Sequence, residues 1–159
     1  MILHQRKRSK ESLSDEYETP KELFDYICLK YNINPDTDVC ATNENTKCIG
    51  YVDNEMDCLK HDFQYHDEGL WCNPPHSKNE KFVRKMFEQW KKYNIPITMI
   101  LPTNTMSSRY WHECIEGIAE YHPIKGRIRF LVDGKPSKHM SRNAYCIVMW
   151  RKLINNQSG

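Results

Sequence analysis

The sequence predicts an α/β domain with a mostly parallel sheet, an antiparallel end and helices on both faces. Short apolar runs alternate with segments whose apolar residues recur at helical spacing. One run, Ile95–Leu101, is nearly uninterrupted, as expected of a strand that is covered on both faces. We expect the last two strands, which flank the turn Asp133-Gly134 and a basic loop, to form the antiparallel end.

Length and composition indicate one domain with a single core. The 159 residues are 39% hydrophobic and 28% charged, as in a soluble globular protein. We expect the domain to span 15–153, between a disordered basic arm at 1–14 and a flexible tail at 154–159. No apolar run reaches the ~20 residues that cross a bilayer, and no secretory signal is recognisable. A cytoplasmic protein is therefore expected.

The cysteine pattern argues against disulfides and metal. The seven cysteines are spread along the chain without a Cys-x-x-Cys pair. Several stand in apolar runs, such as Cys146, where cysteine behaves as a small hydrophobe. We expect reduced thiols in a reducing compartment and no bound metal.

The first half of the chain is predicted to contain one helix and three short strands. The helix begins at Pro20, with Thr19 as its cap, and ends at Asn32–Pro35. The strands are predicted at Asp38–Ala41, Ile49–Val52 and Leu70–Cys72.

The second half alternates more regularly. An amphipathic helix is predicted at Lys81–Tyr93, and a second helix should contain Tyr110 and Ile118. The remaining elements are the strand Ile95–Leu101, the loop Pro102–Ser108, and the strands Ile128–Val132 and Ala144–Trp150.

Candidate site residues fall at the ends of several predicted strands. Asp38–Ala41, Asn73 and Pro102-Thr103 all occupy such positions. In a parallel sheet ligands bind beyond the carboxyl ends of the strands, so we expect one site at this edge.

The hexapeptide Trp71-Cys72-Asn73-Pro74-Pro75-His76 has the character of a reaction site. Tandem prolines stiffen the chain where a strand ends, because proline fixes φ and restricts the preceding residue. The amide of Asn73 and the nearby carbonyls become fixed acceptors, which suit the exocyclic amine of a flat ring. The ring of His76 can stack on that flat ring.

Basic residues cluster near the end of the chain. Asp133 is the only acidic residue between 125 and 142, where His139 could add positive charge. This distribution suggests nucleic acid as a partner. The basic residues of the segment are Lys125, Arg127, Arg129, Lys135, Lys138 and Arg142.

In these motifs the chain resembles the S-adenosylmethionine-dependent amino-methyltransferases, and most closely the small phage-type DNA N6-adenine methyltransferases. Asn73-Pro74-Pro75-His76 matches their (Asp/Asn/Ser)-Pro-Pro-aromatic catalytic motif, with His76 where Tyr is commoner. Glu18-Thr19-Pro20 and Asp38-Val39-Cys40-Ala41 resemble the cofactor motifs that precede it, and Asp62-Phe63 resembles an adenine-reading pair. The resemblance implies a Rossmann-like methyltransferase sheet and methylation of the N6 amine of adenine in DNA.

The resemblance also implies S-adenosyl-L-methionine as the cofactor. Asp38 would lie near its methionine end, Asp53 or Asp57 would bind the ribose, and Asp62 would bind the adenine. The implied cofactor-binding residues are Tyr17, Thr19, Pro20, Asp38, Cys40, Ala41, Asp53, Asp57, Asp62, Phe63 and Asn73.

DNA is the implied partner, as a flipped base or a single strand, because the target amine is inaccessible within a stacked duplex. No insertion is long enough for a separate recognition domain, so specificity is short, or a second subunit supplies it. The residues expected to contact DNA are Ser107, Ser108, Arg109, Lys125, Arg127, Lys135, Lys138, His139 and Arg142.

Other functions remain open on the sequence. Methylation of cytosine N4, RNA or protein glutamine uses the same amine chemistry. A catalytically silent nucleic-acid-binding subunit would keep the fold without needing the cofactor. A small-molecule-binding α/β protein is a third alternative.

Overall fold

The computed structural model describes residues 15–53 and 56–154. The arm predicted at 1–14, and residues 155–159 of the tail predicted at 154–159, lie outside these residues. In the described part of the chain no helix is long and apolar enough to cross a membrane.

The centre of the structure is a six-stranded sheet, and its strand order is β2-β1-β3-β4-β8-β5. The first four of these strands are parallel, while β8 runs antiparallel to both β4 and β5. The prediction of a mostly parallel sheet with an antiparallel end is therefore confirmed. The strands of this sheet are β1 (Thr37–Asp38), β2 (Gly50–Tyr51), β3 (Leu70–Cys72), β4 (Ile97–Pro102), β5 (Glu120–Pro123) and β8 (Tyr145–Trp150).

Within residues 15–53 and 56–154, three α-helices cover the two faces of the sheet. They are α1 (Lys21–Tyr31), α2 (Asn79–Tyr93) and α3 (Arg109–Cys114). Apolar residues of α1 pack with Trp71, Ile100 and Ile147 on one face. Residues of α2 and α3 pack with Met99 and Val148 on the other face. Alternate residues of the central strands therefore point into two separate apolar layers, which is why these strands are apolar throughout.

The prediction of a helix that contains both Tyr110 and Ile118 is wrong for the second half of that segment. Helix α3 ends at Cys114, and Gly117 has a φ of +73° in the following turn. The chain then forms β5, which the periodicity did not predict. This strand lies at the edge of the sheet and alternates half-buried with exposed residues, so it has no continuous apolar run.

The predicted strand Ile128–Val132 also needs correction. Only β6 (Leu131–Val132) is a strand, and it pairs with β7 (Lys135–Pro136) in a separate hairpin. The antiparallel end of the main sheet is formed by β8 and β5 instead. Asp133 and Gly134 both have positive φ, at 52° and 75°. Such values suit a two-residue hairpin turn, and Asp-Gly is a preferred pair for it.

All seven cysteines are free, as predicted. Cys72, Cys114 and Cys146 are fully or almost fully buried. Burial raises the pKa of the Cys146 thiol to about 12, so this group remains a neutral, apolar side chain.

Candidate active site

A cleft of about 580 Å³ opens at the carboxyl edge of the parallel strands. Residues that follow β1, β2 and β3 line it, together with the segment that precedes α1. Among the predicted site residues, those that line the cleft are Tyr17, Thr19, Asp38, Cys40, Ala41, Asp53, Asp57, Asn73 and Pro75. The structure thus brings together four segments that are far apart in sequence.

Asn73 lies at the end of β3 and its amide has a fixed orientation. Its Nδ2 donates to the Tyr17 carbonyl and lies near Thr19 Oγ1, each at 3.1 Å. A carbonyl oxygen only accepts hydrogen bonds, so the atom facing Tyr17 must be the nitrogen. Among the described residues no group donates to Oδ1. Asn73 therefore presents a hydrogen-bond acceptor in the cleft.

The contact of Thr19 with Asn73 corrects one prediction. Thr19 was expected to cap α1, but Pro20 occupies the N-cap position and no side chain caps this helix. The buried hydroxyl of Thr19 binds Asn73 instead. Pro20 does not line the cleft, and its carbonyl accepts from the N–H of Phe24 in the first turn of the helix.

His76 follows the two prolines and begins a short 3-10 helix, His76–Lys78. The Tyr145 hydroxyl lies 2.8 Å from His76 Nε2, and the ring of Tyr17 meets the imidazole edge-on with centroids 5.8 Å apart. Burial lowers the pKa of His76, and the negative charge of Asp15 opposes this effect only in part. The imidazole is therefore neutral at physiological pH.

Asp38 is buried at the bottom of the cleft and organises the loop that follows β1. Its Oδ1 accepts from the backbone N–H of Cys40 at 3.3 Å, and its Oδ2 accepts from that of Lys47 at 3.2 Å. Burial raises the pKa of the carboxyl to about 6, although both backbone bonds and the Lys47 charge favour the ionised form. A carboxylate held at this point can attract a cation that enters the cleft.

Two further acidic candidates, Asp53 and Asp57, lie on the segment after β2. Asp53 Oδ1 accepts from the N–H of Met56 at 3.0 Å, and Asp57 Oδ1 accepts from that of Leu59 at 3.2 Å. Both side chains are half-buried and line the cleft beside the apolar Val52. A ligand in which polar groups lie next to a flat, apolar ring would fit these two carboxylates and the apolar side chain beside them.

Asp62 and Phe63 are not brought to the cleft. The Tyr93 hydroxyl donates to Asp62 Oδ2 at 2.6 Å, and Lys92 Nζ lies 3.9 Å from the same oxygen. Tyr93 and Lys92 lie at the end of α2, and this helix runs from the carboxyl end of β3 back to the amino end of β4. Asp62 therefore faces the opposite edge of the sheet, and Phe63 is fully buried in the core.

Several lining residues were missed from the sequence. The loop after β1 contributes Thr42, Asn45 and Lys47, and Lys78 lies just beyond the proline pair. From the sequence, such polar residues could be predicted to lie in loops at the carboxyl edge of the sheet, but not to line the cleft. No group of three or more potential metal ligands occurs in the part of the chain that the structure describes.

The β6–β7 hairpin packs against the segment that holds Asn73. Glu18 and Leu131 exchange backbone hydrogen bonds of 2.8 and 2.9 Å, and Gly134 N donates to Glu18 Oε1 at 3.1 Å. Asp133, at the tip of the hairpin, lines the cleft. The basic segment predicted from the sequence is therefore adjacent to the cleft.

The basic side chains of this segment project into solvent. Lys125, Lys135, Lys138 and His139 are exposed, and within the described residues none forms a salt bridge. Arg127 and Arg129, also exposed, donate to the carbonyls of Arg142 and Ser137. Together with Arg142 these residues form what we call the basic surface.

The other residues predicted to contact DNA have local partners. Ser107 Oγ donates to the Asn104 carbonyl at 3.2 Å. Ser108 is the N-cap of α3, since its Oγ accepts from Trp111 N at 3.3 Å. Arg109 Nε lies 3.3 Å from Glu113 Oε1 but its side chain is largely exposed. Of the three, only Arg109 combines a charge with wide solvent access.

The segment that contains Asn73, the proline pair and His76 lies within a part of the chain that matches a family model. The model describes "DNA N-6-adenine-methyltransferase (Dam)" and matches residues 6–158. The chain belongs to this family. The family predicted from the Asn-Pro-Pro-aromatic motif is therefore confirmed.

Two curated relatives support the family membership. The chain is 30% identical over 135 residues to the DNA N-6-adenine-methyltransferase of Escherichia phage T1. The aligned region covers 85% of this chain and 55% of that relative. It is also 30% identical over 127 residues to the DNA N-6-adenine-methyltransferase of Haemophilus phage HP1 (strain HP1c1). This second aligned region covers 79% of this chain and 72% of that relative. The chain thus spans only about half the length of the first relative.

Proposed function

We propose that this protein transfers the methyl group of S-adenosyl-L-methionine to the N6 amine of adenine in DNA. The observation that carries the proposal is the Asn73 amide. Its nitrogen is held by Tyr17 and Thr19, and its Oδ1 is left as an acceptor in the cleft. The mostly parallel sheet with an antiparallel end is compatible with the Rossmann-like methyltransferase sheet that the motifs imply.

The acceptor fits the chemistry of an exocyclic amine. The lone pair of such a nitrogen is conjugated into the purine ring, so the amine is a poor nucleophile. Hydrogen bonds from its N–H groups to Asn73 Oδ1 and to the Pro74 carbonyl would favour tetrahedral geometry at nitrogen and aim its lone pair. The tandem prolines keep these two acceptors in place, because neither proline can rotate about φ.

The cleft fits S-adenosyl-L-methionine in size and in the chemistry of its lining. Its volume lies within the roughly 300–1,000 Å³ typical of cofactor sites. When bound, this cofactor supplies a methyl group that is already activated on a sulfonium. Asp38 would hold the cationic methionine end and Asp53 or Asp57 the ribose hydroxyls. The apolar side chains of Val52, Leu59 and Phe82 would cover the adenine.

Charge also favours a cationic ligand in the cleft. Acidic residues outnumber lysines among the lining residues, and the lysines are Lys47 and Lys78. The acidic residues are Asp15, Glu16, Glu18, Asp38, Asp53, Asp57 and Asp133. A polyanion such as DNA would therefore be repelled from the cleft and attracted to the adjacent basic surface. We infer that one surface binds the phosphates while a single base reaches Asn73.

The basic surface gives a testable expectation about salt. Replacement of Lys135 and Lys138 by Gln should weaken DNA binding and lower the magnitude of the salt slope by about 2, since each phosphate contact contributes about 0.9. The measurement is DNA affinity by fluorescence anisotropy at several salt concentrations. Lys91→Gln with Lys152→Gln, two exposed lysines at the opposite edge, is the charge-matched control. Equal slopes in both double variants would show that DNA binds elsewhere.

A second expectation concerns His76 and pH. His76→Tyr and His76→Phe should retain at least about a tenth of the methyl-transfer rate, whereas His76→Ala should lose nearly all of it, because stacking needs a ring. Protonation of the wild-type imidazole would place a cation against a base that is receiving a positive methyl. Because burial lowers the pKa of His76, the wild-type rate should fall only in the acid range, below about pH 6.5.

The Tyr and Phe variants lack this titration and should keep their rates further into the acid range. The measurement is the pH–rate profile of wild type and both variants from about pH 5 to 8. Coinciding profiles would mean that His76 contributes a ring and no pH-dependent charge.

The experiment that tests the proposed function is transfer of a labelled methyl group. We expect label from S-adenosyl-L-methionine to enter DNA that has been grown free of methylation, and not RNA or protein. A silent subunit would bind DNA but transfer no label. Label in RNA alone would contradict the assignment of DNA as the substrate.

A further inference from the structure

The imidazole of His76 carries two ring nitrogens, which the tyrosine that is commoner at this motif position lacks. Two ring nitrogens must be satisfied, and which one carries the proton depends on the neighbours. The groups around the ring are Asp15, Tyr17 and Tyr145. Asp15 is committed elsewhere, since its carboxylate accepts from Ser77 N at 2.8 Å and from Ser77 Oγ at 2.5 Å.

Tyr145 is held rigidly at the same edge of the sheet. It is the first residue of β8 and pairs with Pro102, the last residue of β4, so the antiparallel strand begins where the parallel strands end. Its side chain is 1% exposed, and its ring meets Phe130 at 4.9 Å with an interplanar angle of 69°. Phe130 in turn stacks on Tyr17 at 4.8 Å. The position of the Tyr145 hydroxyl is therefore set by the sheet and by two other rings.

We propose that Tyr145 is a positioning residue of this site, whose hydroxyl fixes the orientation of the His76 imidazole. The inference rests on the proposed function. The hydroxyl lies 2.8 Å from Nε2 and 3.5 Å from Nδ1, so it contacts the imidazole and is nearest to Nε2. A ring bonded at Nε2 cannot flip about its χ2 axis without losing that contact.

The direction of this hydrogen bond follows from acidity. A phenol is a stronger acid than a neutral imidazole N–H, so the hydroxyl is the donor in this contact. Burial raises the pKa of Tyr145, which keeps the hydroxyl proton in place. Within the described residues this hydroxyl has no partner other than His76.

The consequence is a fixed face for stacking. His76 follows Asn73 by three residues, and the proline pair between them is stiff. With its ring plane set by Tyr145, the imidazole can present the same face to each base that reaches Asn73. A ring free to rotate would be in the productive orientation for only part of the time.

A double-mutant cycle tests the inference. Tyr145→Phe should lower kcat about tenfold, the equivalent of one hydrogen bond, and leave the KM for the cofactor unchanged. In the His76→Phe background the same substitution should change kcat by no more than about twofold, because a phenyl ring has no nitrogen to hold. Tyr121→Phe, a tyrosine of β5 outside the cleft, is the matched control. Equal losses in both backgrounds would overturn the inference.

Nitrogen NMR of the imidazole gives a readout that does not depend on activity. In the wild-type protein at neutral pH, the His76 signals should report a neutral ring, and Tyr145→Phe should shift them because the hydroxyl beside the ring is lost. His76 signals that are the same in Tyr145→Phe and wild type would overturn the inference even in an active enzyme. A chain that transfers no methyl group but whose His76 signals shift in Tyr145→Phe would refute the proposed function and keep the His76–Tyr145 contact.

Discussion

Asn73→Ala should reduce methyl transfer by roughly 10²–10³, the usual loss when one preorganised hydrogen-bonding group is removed from an active site. The affinity for S-adenosyl-L-methionine should stay within a few-fold of wild type. The reason is that Oδ1 meets the target amine most strongly in the transition state, while the cofactor is held by other residues. Single-turnover transfer of labelled methyl, together with cofactor calorimetry, measures both quantities.

Thr19→Val is the control for this substitution. It removes one of the two partners of Asn73 Nδ2 but leaves Oδ1 as an acceptor. Because the Tyr17 carbonyl still holds the amide, we expect a loss of about tenfold or less. If Thr19→Val were as damaging as Asn73→Ala, the role of Asn73 would be to hold the segment before α1 in place. Near-normal turnover in Asn73→Ala would show that the motif is structural.

Asp38→Ala should weaken S-adenosyl-L-methionine binding by about 1–3 kcal/mol, the range for a lost bond to a charged group. Asp38 is buried, and its carboxyl accepts hydrogen bonds from the loop that lines the cleft. Its pKa is raised to about 6, so the carboxylate is charged above pH 6 and becomes neutral as the pH falls through this value. Wild-type affinity should therefore be full near pH 8 and decline below pH 6, whereas the affinity of Asp38→Ala should not change there.

Calorimetric titration at several pH values measures this difference, with thermal unfolding as a check on the loop. Asp62→Ala is the matched control, since this aspartate lies outside the cleft and binds Tyr93. We expect its cofactor affinity to equal that of wild type. A larger loss in Asp62→Ala than in Asp38→Ala would move the cofactor to the opposite edge of the sheet.

The carboxyl-edge location of the site could be predicted from the sequence because several signals agreed. Leu70–Cys72 is a fully buried strand, and the proline pair after it fixes where that strand ends. The rule that ligands bind beyond the carboxyl ends of parallel strands then relates Asn73 to the loop after β1. Asp38 and Asn73 are accordingly both in the lining of the cleft.

Features that depend on side-chain direction could not be predicted in this way. Asp62 is close to the motif in sequence, but Tyr93 and Lys92 hold it at the far edge. Thr19 looked like a helix cap, and its hydroxyl is used by Asn73 instead. Tyr145 begins an apolar strand and gave no signal, because its contact with His76 depends on the pairing of β8 with β4.

The most direct test of the central proposal is identification of the methylated nucleoside. Unmethylated DNA is incubated with the protein and S-adenosyl-L-methionine, digested to nucleosides and analysed by mass spectrometry, with Asn73→Ala as the parallel control. We expect N6-methyldeoxyadenosine from the wild type and almost none from the variant. N4-methyldeoxycytidine, or N6-methyldeoxyadenosine formed equally by Asn73→Ala, would contradict the proposal.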